Sequence, residues 1–264
     1  MRLLNKHGIA NAIQHAHRLK SRQIEVERKF VPTTDFFTNL RILLGRHNSS
    51  TPADFPKAII QAHELQIRDT YYEWDDKLWK RGIWIRFRTC TSSQDPKLQS
   101  SCWNAKLRLG GDFTKSRMVE VHGQLAVEDV LDEHAPGAAL SDLTAYAKFV
   151  TTRQAWNIPA PFSGHRSNDD WRMQIVLDKT DGVLEAGTQH FHHEVGEIEL
   201  IQDIFTDVEK TSLDLEAERM DSHLHLFISN HTCLFDSNKD AMGKLEAFML
   251  WKAAQANESL HVMK

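Results

Sequence analysis

Up to about Leu200 the apolar residues of this chain fall mainly on alternate positions, and beyond it they recur every three or four. The first period belongs to strands and the second to helices. Residues 23–30 open the series, with Ile24, Val26 and Arg28 on one face and Glu25, Glu27 and Lys29 on the other. Thr34 and Asp35 can cap a helix whose apolar positions are Phe36, Phe37, Leu40, Leu43 and Leu44. After a polar loop at 47–56, strands are expected at 67–74, 83–89, 101–109 and 116–122. Gly110-Gly111-Asp112 marks a hairpin and 91–100 a longer turn. Residues 125–134 and 140–146 read as short helices around Pro136-Gly137, and 147–158 as a strand. A loop at 159–170 leads to a strand at 172–178, and a turn at Asp181-Gly182 precedes a pair at 183–190 and 193–201. Leu213, Ala217, Met220, Leu224 and Phe227 then make one helical stripe; Met242, Leu245, Phe248 and Met249 make another.

About eight to nine strands without βαβ spacing, followed by helices, predict an α+β protein built on an antiparallel sheet or barrel. No linker or repeat divides the 264 residues. A single domain is expected over 22–252, between a basic extension at 1–21 and a tail at 253–264.

Composition narrows the partners. A net charge of −4 gives no global attraction for nucleic acid or an anionic membrane, so anion binding must come from local charge. No apolar run approaches a membrane span. Cys90, Cys102 and Cys233 have no metal-binding spacing and read as reduced thiols. These features predict a cytoplasmic monomer. The acid-free stretch 1–22, with Arg2, Lys6, Arg18, Lys20 and Arg22, leaves a mitochondrial location as the alternative.

The charges repeat along the strands. Arg86 and Arg88 share one face, Lys106 and Arg108 another, and Glu120, Arg153 and Asp178 stand singly. Glu197-x-Glu199 repeats the opening Glu25-x-Glu27. A solvated sheet face explains any one of these. Recurrence on nearly every strand favours a closed barrel with a polar interior. Converging Lys and Arg suit a ligand with several phosphates, and paired carboxylates suit Mg²⁺ or Mn²⁺. Together they imply metal-assisted phosphoryl transfer.

In this order the motifs resemble those of the CYTH superfamily, the triphosphate tunnel metalloenzymes. The series is Glu25-x-Glu27-x-Lys29, Arg86-x-Arg88, Lys106, Glu120, Arg153, Asp178, Glu197-x-Glu199 and Lys244. Residues 68–72, 149–156 and 194–199, with Trp84 before Arg86, are most similar to the thiamine-triphosphatase branch. The resemblance implies a barrel of about eight strands around a small-molecule triphosphate. It implies that Lys29, Arg86, Arg88, Lys106 and Arg153 grip phosphate oxygens, and that Asp178, Glu197 and Glu199 hold Mg²⁺, with Mn²⁺ as the alternative. Glu25 and Glu27 would bind a second metal or position water, Glu120 would join the acidic lining, and Lys244 would sit near the terminal phosphate. Glu25, Glu27, Lys29 and Lys244 are thereby the catalytic candidates. Trp84 could stack on a thiazolium cation or be an ordinary core residue.

The expected function is hydrolysis of thiamine triphosphate to the diphosphate and phosphate. Inorganic tripolyphosphatase or nucleoside triphosphatase is the alternative; adenylyl cyclase or a non-catalytic polyphosphate binder stands behind these. Residues 1–21 and the loops 91–100 and 159–171 depart from the branch. His190, His192 and His193 crowd a strand end, where a solvated turn is the default over a zinc site.

Overall fold

Every pairing among the long strands of the described residues is antiparallel, and the last strand returns to the first. The computed structural model describes residues 21–46, 63–112, 114–158, 171–183, 190–204, 209–236 and 241–262. Eight strands form the barrel: β1 (Ser21–Pro32), β2 (His63–Glu73), β3 (Ile83–Ser92), β4 (Gln99–Gly111), β5 (Lys115–His122), β6 (Thr144–Ile158), β7 (Arg172–Val183) and β8 (His190–Ile204). Their order is β5-β4-β3-β2-β6-β7-β8-β1, and β1 closes the ring on β5, with Glu25 opposite Met118. A short β9 (Phe235–Asp236) extends the end of β1. The helices are α1 (Phe36–Arg46), α2 (Gln124–His134), α3 (Lys210–Asn230) and α4 (Lys244–Val262). The fold is thus the expected α+β barrel with flanking and C-terminal helices.

The outer faces of the strands bury their apolar residues under helices. Ile24, Val26, Ile198 and Leu200 pack against Ala217, Met220, Leu224 and Phe227 of α3, with Phe36 and Leu40 of α1 in the same cluster. Ile83, Ile85, Val119 and Val121 pack against Val127 and Leu131 of α2. Arg28, a base on the apolar face of β1, pairs with Asp221 of α3.

Helix α4 packs differently. Tyr71, Phe149 and Phe191 alternate in phase with Asp69, Arg153 and Glu197, so they occupy inward positions. Phe248 of α4 is buried against Phe149 and Phe191, at ring-centroid distances of 5.0 and 5.4 Å. α4 therefore plugs one end of the interior rather than covering an outer face. It runs to Val262, past residue 252, where the sequence pattern closes the domain.

Several boundaries differ from expectation. The segment 140–146 has only a 3-10 turn at Leu140–Asp142, and β6 begins at Thr144. Pairing of Thr91 with Gln99 shortens the expected turn at 91–100. β7 continues through Asp181-Gly182 because β6 and β8 pair with it on both sides there. Gly182 answers to packing instead, since an added Cβ would lie 3.1 Å from the Phe149 ring. Val183 ends β7 and His190 starts β8, and residues 184–189 of the strand expected at 183–190 lie outside the described residues. The expected loops 47–56 and 159–170, and residues 1–20 of the extension, lie outside the described residues.

Gly196 faces Phe30 across β1 and β8, and an added Cβ would stand 2.6 Å from that ring. Gly196→Ala is expected to lower unfolding stability by about 1–3 kcal/mol through overpacking. Denaturant unfolding checks this, and an unchanged midpoint would contradict the packing.

Candidate active site

Alternation alone brings the charged residues together, because a closed barrel sends every inward position of every strand to the same interior. The result is a cavity of about 870 Å³. Glu25, Glu27, Lys29, Trp84, Arg86, Arg88, Lys106, Glu120, Arg153, Glu197, Glu199 and Lys244 all line it.

Asp178 does not line it. Both its oxygens are taken by Arg153, with Nε donating at 2.7 Å and Nη2 at 2.8 Å. On β2 and β3 the same fork recurs: Arg88 donates to Asp69 through Nε at 2.7 Å and Nη2 at 2.8 Å. Lys244 joins the forks, its Nζ 3.4 Å from Asp69 and 3.8 Å from Asp178. Burial would raise both carboxyls, but Arg88 and Lys244 hold Asp69 well below the usual range, and Arg153 and Lys244 lower Asp178. Asp178, expected among the metal ligands, has both oxygens on the Arg153 guanidinium in this structure.

A second charge group lies around β1. Lys106 donates to Glu25 at 2.6 Å and stands 3.8 Å from both Glu27 and Glu120. Glu27 pairs with Lys29 and accepts from Ser116 Oγ at 2.7 Å. Arg86 donates through Nη2 to Glu120 at 2.8 Å, and its buried Nε has no hydrogen-bond partner among the described residues. Such an orphaned donor beside a polar cavity fits a ligand that brings oxygen atoms.

The acids are not evenly compensated. Glu25, Glu27 and Glu199 each offer one oxygen within 4.8 Å of the others. Burial, with Glu199 and Glu27 adding repulsion, raises the Glu25 carboxyl well above its ordinary value despite Lys106. Burial would also raise Glu27, but Lys29 and Lys106 hold it well below. Burial and Glu27 push Glu197 up to about 7. Three crowded carboxylates, with no histidine or cysteine in the group, fit a hard divalent cation such as Mg²⁺ or Mn²⁺. Glu199 is held from behind by Gln174 Nε2 at 2.5 Å. Glu197 stands outside this trio and accepts from Arg153 Nη2 at 3.3 Å.

Trp84 lines the cavity, and the Arg108 guanidinium lies 4.9 Å from its ring centroid. Three contributors escape a reading of charge motifs: Asp69, Ser116 and Gln174. Asp69 has a signal in the sequence, since it alternates with Tyr71 and Glu73 on β2. Glu73 nonetheless serves the turn, accepting from the backbone of Leu78 at 2.7 Å and Trp79 at 3.1 Å.

The histidines at the start of β8 do not gather. His192 is exposed beside Asp181 and Glu194, whereas His193 donates from Nε2 to the Met242 carbonyl at 2.8 Å. Among the described residues no histidine belongs to a group of three potential metal ligands. Likewise, no described helix is long and apolar enough to cross a membrane.

No protein-family model matches the sequence, and no curated protein matches it. Among solved structures, a protein from Pyrococcus horikoshii OT3 is similar at 15% identity and a TM-score of 0.45, covering 87% of this chain and 99% of its own. A Hippeastrum protein with a dominant triphosphatase activity is similar at 12% identity and a TM-score of 0.41, over 83% of this chain and 92% of its own. The RNA triphosphatase domain of a trifunctional mimivirus mRNA capping enzyme is similar at 11% identity and a TM-score of 0.38, over 84% and 100%. These likenesses are too distant to carry a functional reading, which rests on the groups in the cavity.

Glu199→Gln keeps the Gln174 contact and removes one charge from the trio. Mg²⁺ or Mn²⁺ should raise the melting temperature of the wild-type chain, and the substitution should weaken the apparent metal affinity about tenfold or more. A metal-independent melting curve for the wild type would rule out the trio as a cation site.

Proposed function

We propose that this chain is a metal-dependent triphosphatase and that thiamine triphosphate is its substrate. One observation carries the reading: six cationic side chains on different walls, Lys29, Arg86, Arg88, Lys106, Arg153 and Lys244, line one cavity that also holds the trio Glu25, Glu27 and Glu199. A binder of polyanions gains nothing from buried carboxylates facing its ligand, whereas a hydrolase needs them.

In this reading the guanidiniums do two jobs with two edges. Asp69 and Asp178 hold the Nε–Nη2 edges of Arg88 and Arg153. Nη1 of each is free of the fork and serves the non-bridging phosphate oxygens. Arg86 contributes its orphaned Nε, and Lys106, Lys29 and Lys244 add point charges along the chain of phosphates. Glu25, Glu27 and Glu199 would hold the divalent cation, which when bound neutralises phosphate charge and favours attack by water. Water attacks the terminal phosphorus as its bond to the bridging oxygen breaks, giving a diphosphate and phosphate. Preorganised positive charge lowers the barrier because none of it must reorient as charge moves to the bridging oxygen.

Two observations support thiamine over other triphosphates. Residues around Arg86 and Arg153 resemble the thiamine-triphosphatase branch. Trp84 already attracts a cation over its face, that of Arg108, and a thiazolium ring could take the same place.

A panel of metals and substrates on the purified chain tests the reading. With Mg²⁺, phosphate release from thiamine triphosphate should far exceed that from tripolyphosphate or ATP. The reverse order would overturn the thiamine assignment, and cyclic AMP from ATP would point to a cyclase. No turnover with any metal would overturn the triphosphatase reading. Arg86→Ala should lower kcat/KM at least about tenfold through loss of a charged hydrogen bond, and wild-type kinetics would place the substrate elsewhere.

A further inference from the structure

We infer that His193 is a positioning residue for Lys244, acting by strapping the chain ahead of α4 to the inner wall of the barrel; the inference rests on the triphosphatase reading. Lys244 is the first residue of α4. Its ammonium reaches both Arg–Asp forks, so its place depends on where the backbone at 241–243 sits. This segment is not helical and belongs to no strand. Among the described residues, the Met242 carbonyl is its point of hydrogen bonding to the barrel, and the donor is His193 Nε2 at 2.8 Å. A carbonyl only accepts, so Nε2 carries the proton in this contact.

The ring that donates is itself fixed. His193 occupies an inward position of β8, two residues after Phe191, and stacks on it at 6.0 Å with an interplanar angle of 18°. Phe191 also holds Phe248 and Trp251 of α4. One aromatic group therefore seats the body of the helix while His193 ties down its leading segment. A second fit depends on the strap. Gly243 lies so close to Lys29 that an added Cβ would come within 2.7 Å of Lys29 Cε. The segment thus brings Lys29 and Lys244, cations from opposite ends of the chain, to one part of the cavity. The hydrophobic plug alone leaves α4 free to slide or rotate at its start, because apolar contact is not directional. The hydrogen bond supplies the direction.

The test separates the bond from the packing. His193→Phe keeps a ring on Phe191 but cannot donate, whereas His193→Gln offers an amide donor in place of Nε2. With the best substrate of the wild-type panel, His193→Phe should lower kcat/KM about tenfold, and His193→Gln should recover most of that loss. In a Lys244→Ala background, His193→Phe should cost less than about twofold, because the positioned group is gone. Hydrogen exchange at the amide of Ala247, which donates to the Gly243 carbonyl at 2.9 Å, should speed up in His193→Phe and not in His193→Gln. Unchanged kcat/KM in folded His193→Phe, equal losses in His193→Phe and His193→Gln, or losses that multiply in the double variant would each overturn the inference. A wild-type chain with no triphosphatase activity would instead overturn the proposed function, and the exchange measurement would still report on the strap.

Discussion

Charge compensation inside a closed barrel is the constraint on which the rest of this structure depends. Moving a carboxylate or guanidinium out of water costs several kcal/mol, and removing one partner of a buried pair costs about 3–5 kcal/mol. The interior meets this with matched partners: Arg88 with Asp69, Arg153 with Asp178, Arg86 with Glu120, and Lys106 with Glu25. The compensation is incomplete in two places. Arg86 keeps an unpartnered Nε, and Glu25, Glu27 and Glu199 crowd together with more negative charge than their neighbours cancel. One deficit asks for an anion with oxygen atoms and the other for a hard cation.

The apolar halves of the strands make such an interior tolerable. Strands β1, β3, β5 and β8 spend one face on charge and the other on helices α1, α2 or α3, whose burial stabilises the closed ring. α4 departs from this rule by entering the barrel end. Its aromatic contacts exclude water from one side of the charged cavity, and its first residue adds a cation to that cavity. Exclusion of water strengthens every remaining electrostatic contact.

Local alternation was legible in the sequence, and so were its consequences. The inward sets on β1, β3, β5 and β8 follow from a period of two, and the barrel follows from charge on nearly every strand. Non-local facts were not legible. That Asp178 holds the Arg153 guanidinium follows from the register of β6 on β7, which alternation along one strand does not show. Gly182 reads as a turn until Phe149 is seen across the ladder. Met242, Leu245, Phe248 and Met249 form a helical stripe, but a stripe does not say whether its partner is an outer sheet face or the end of the barrel. Asp69 was hidden among aromatic residues whose own inward faces fill that end, and His193 lay in a cluster that reads as a solvated turn.

If the cavity serves three linked phosphates, equilibrium binding shows it without turnover. Calorimetric titration with a non-hydrolysable triphosphate analogue should show one molecule per chain, with affinity falling steeply for the diphosphate and again for the monophosphate. Binding indifferent to the number of phosphates, or no binding at all, would contradict a triphosphate-binding cavity.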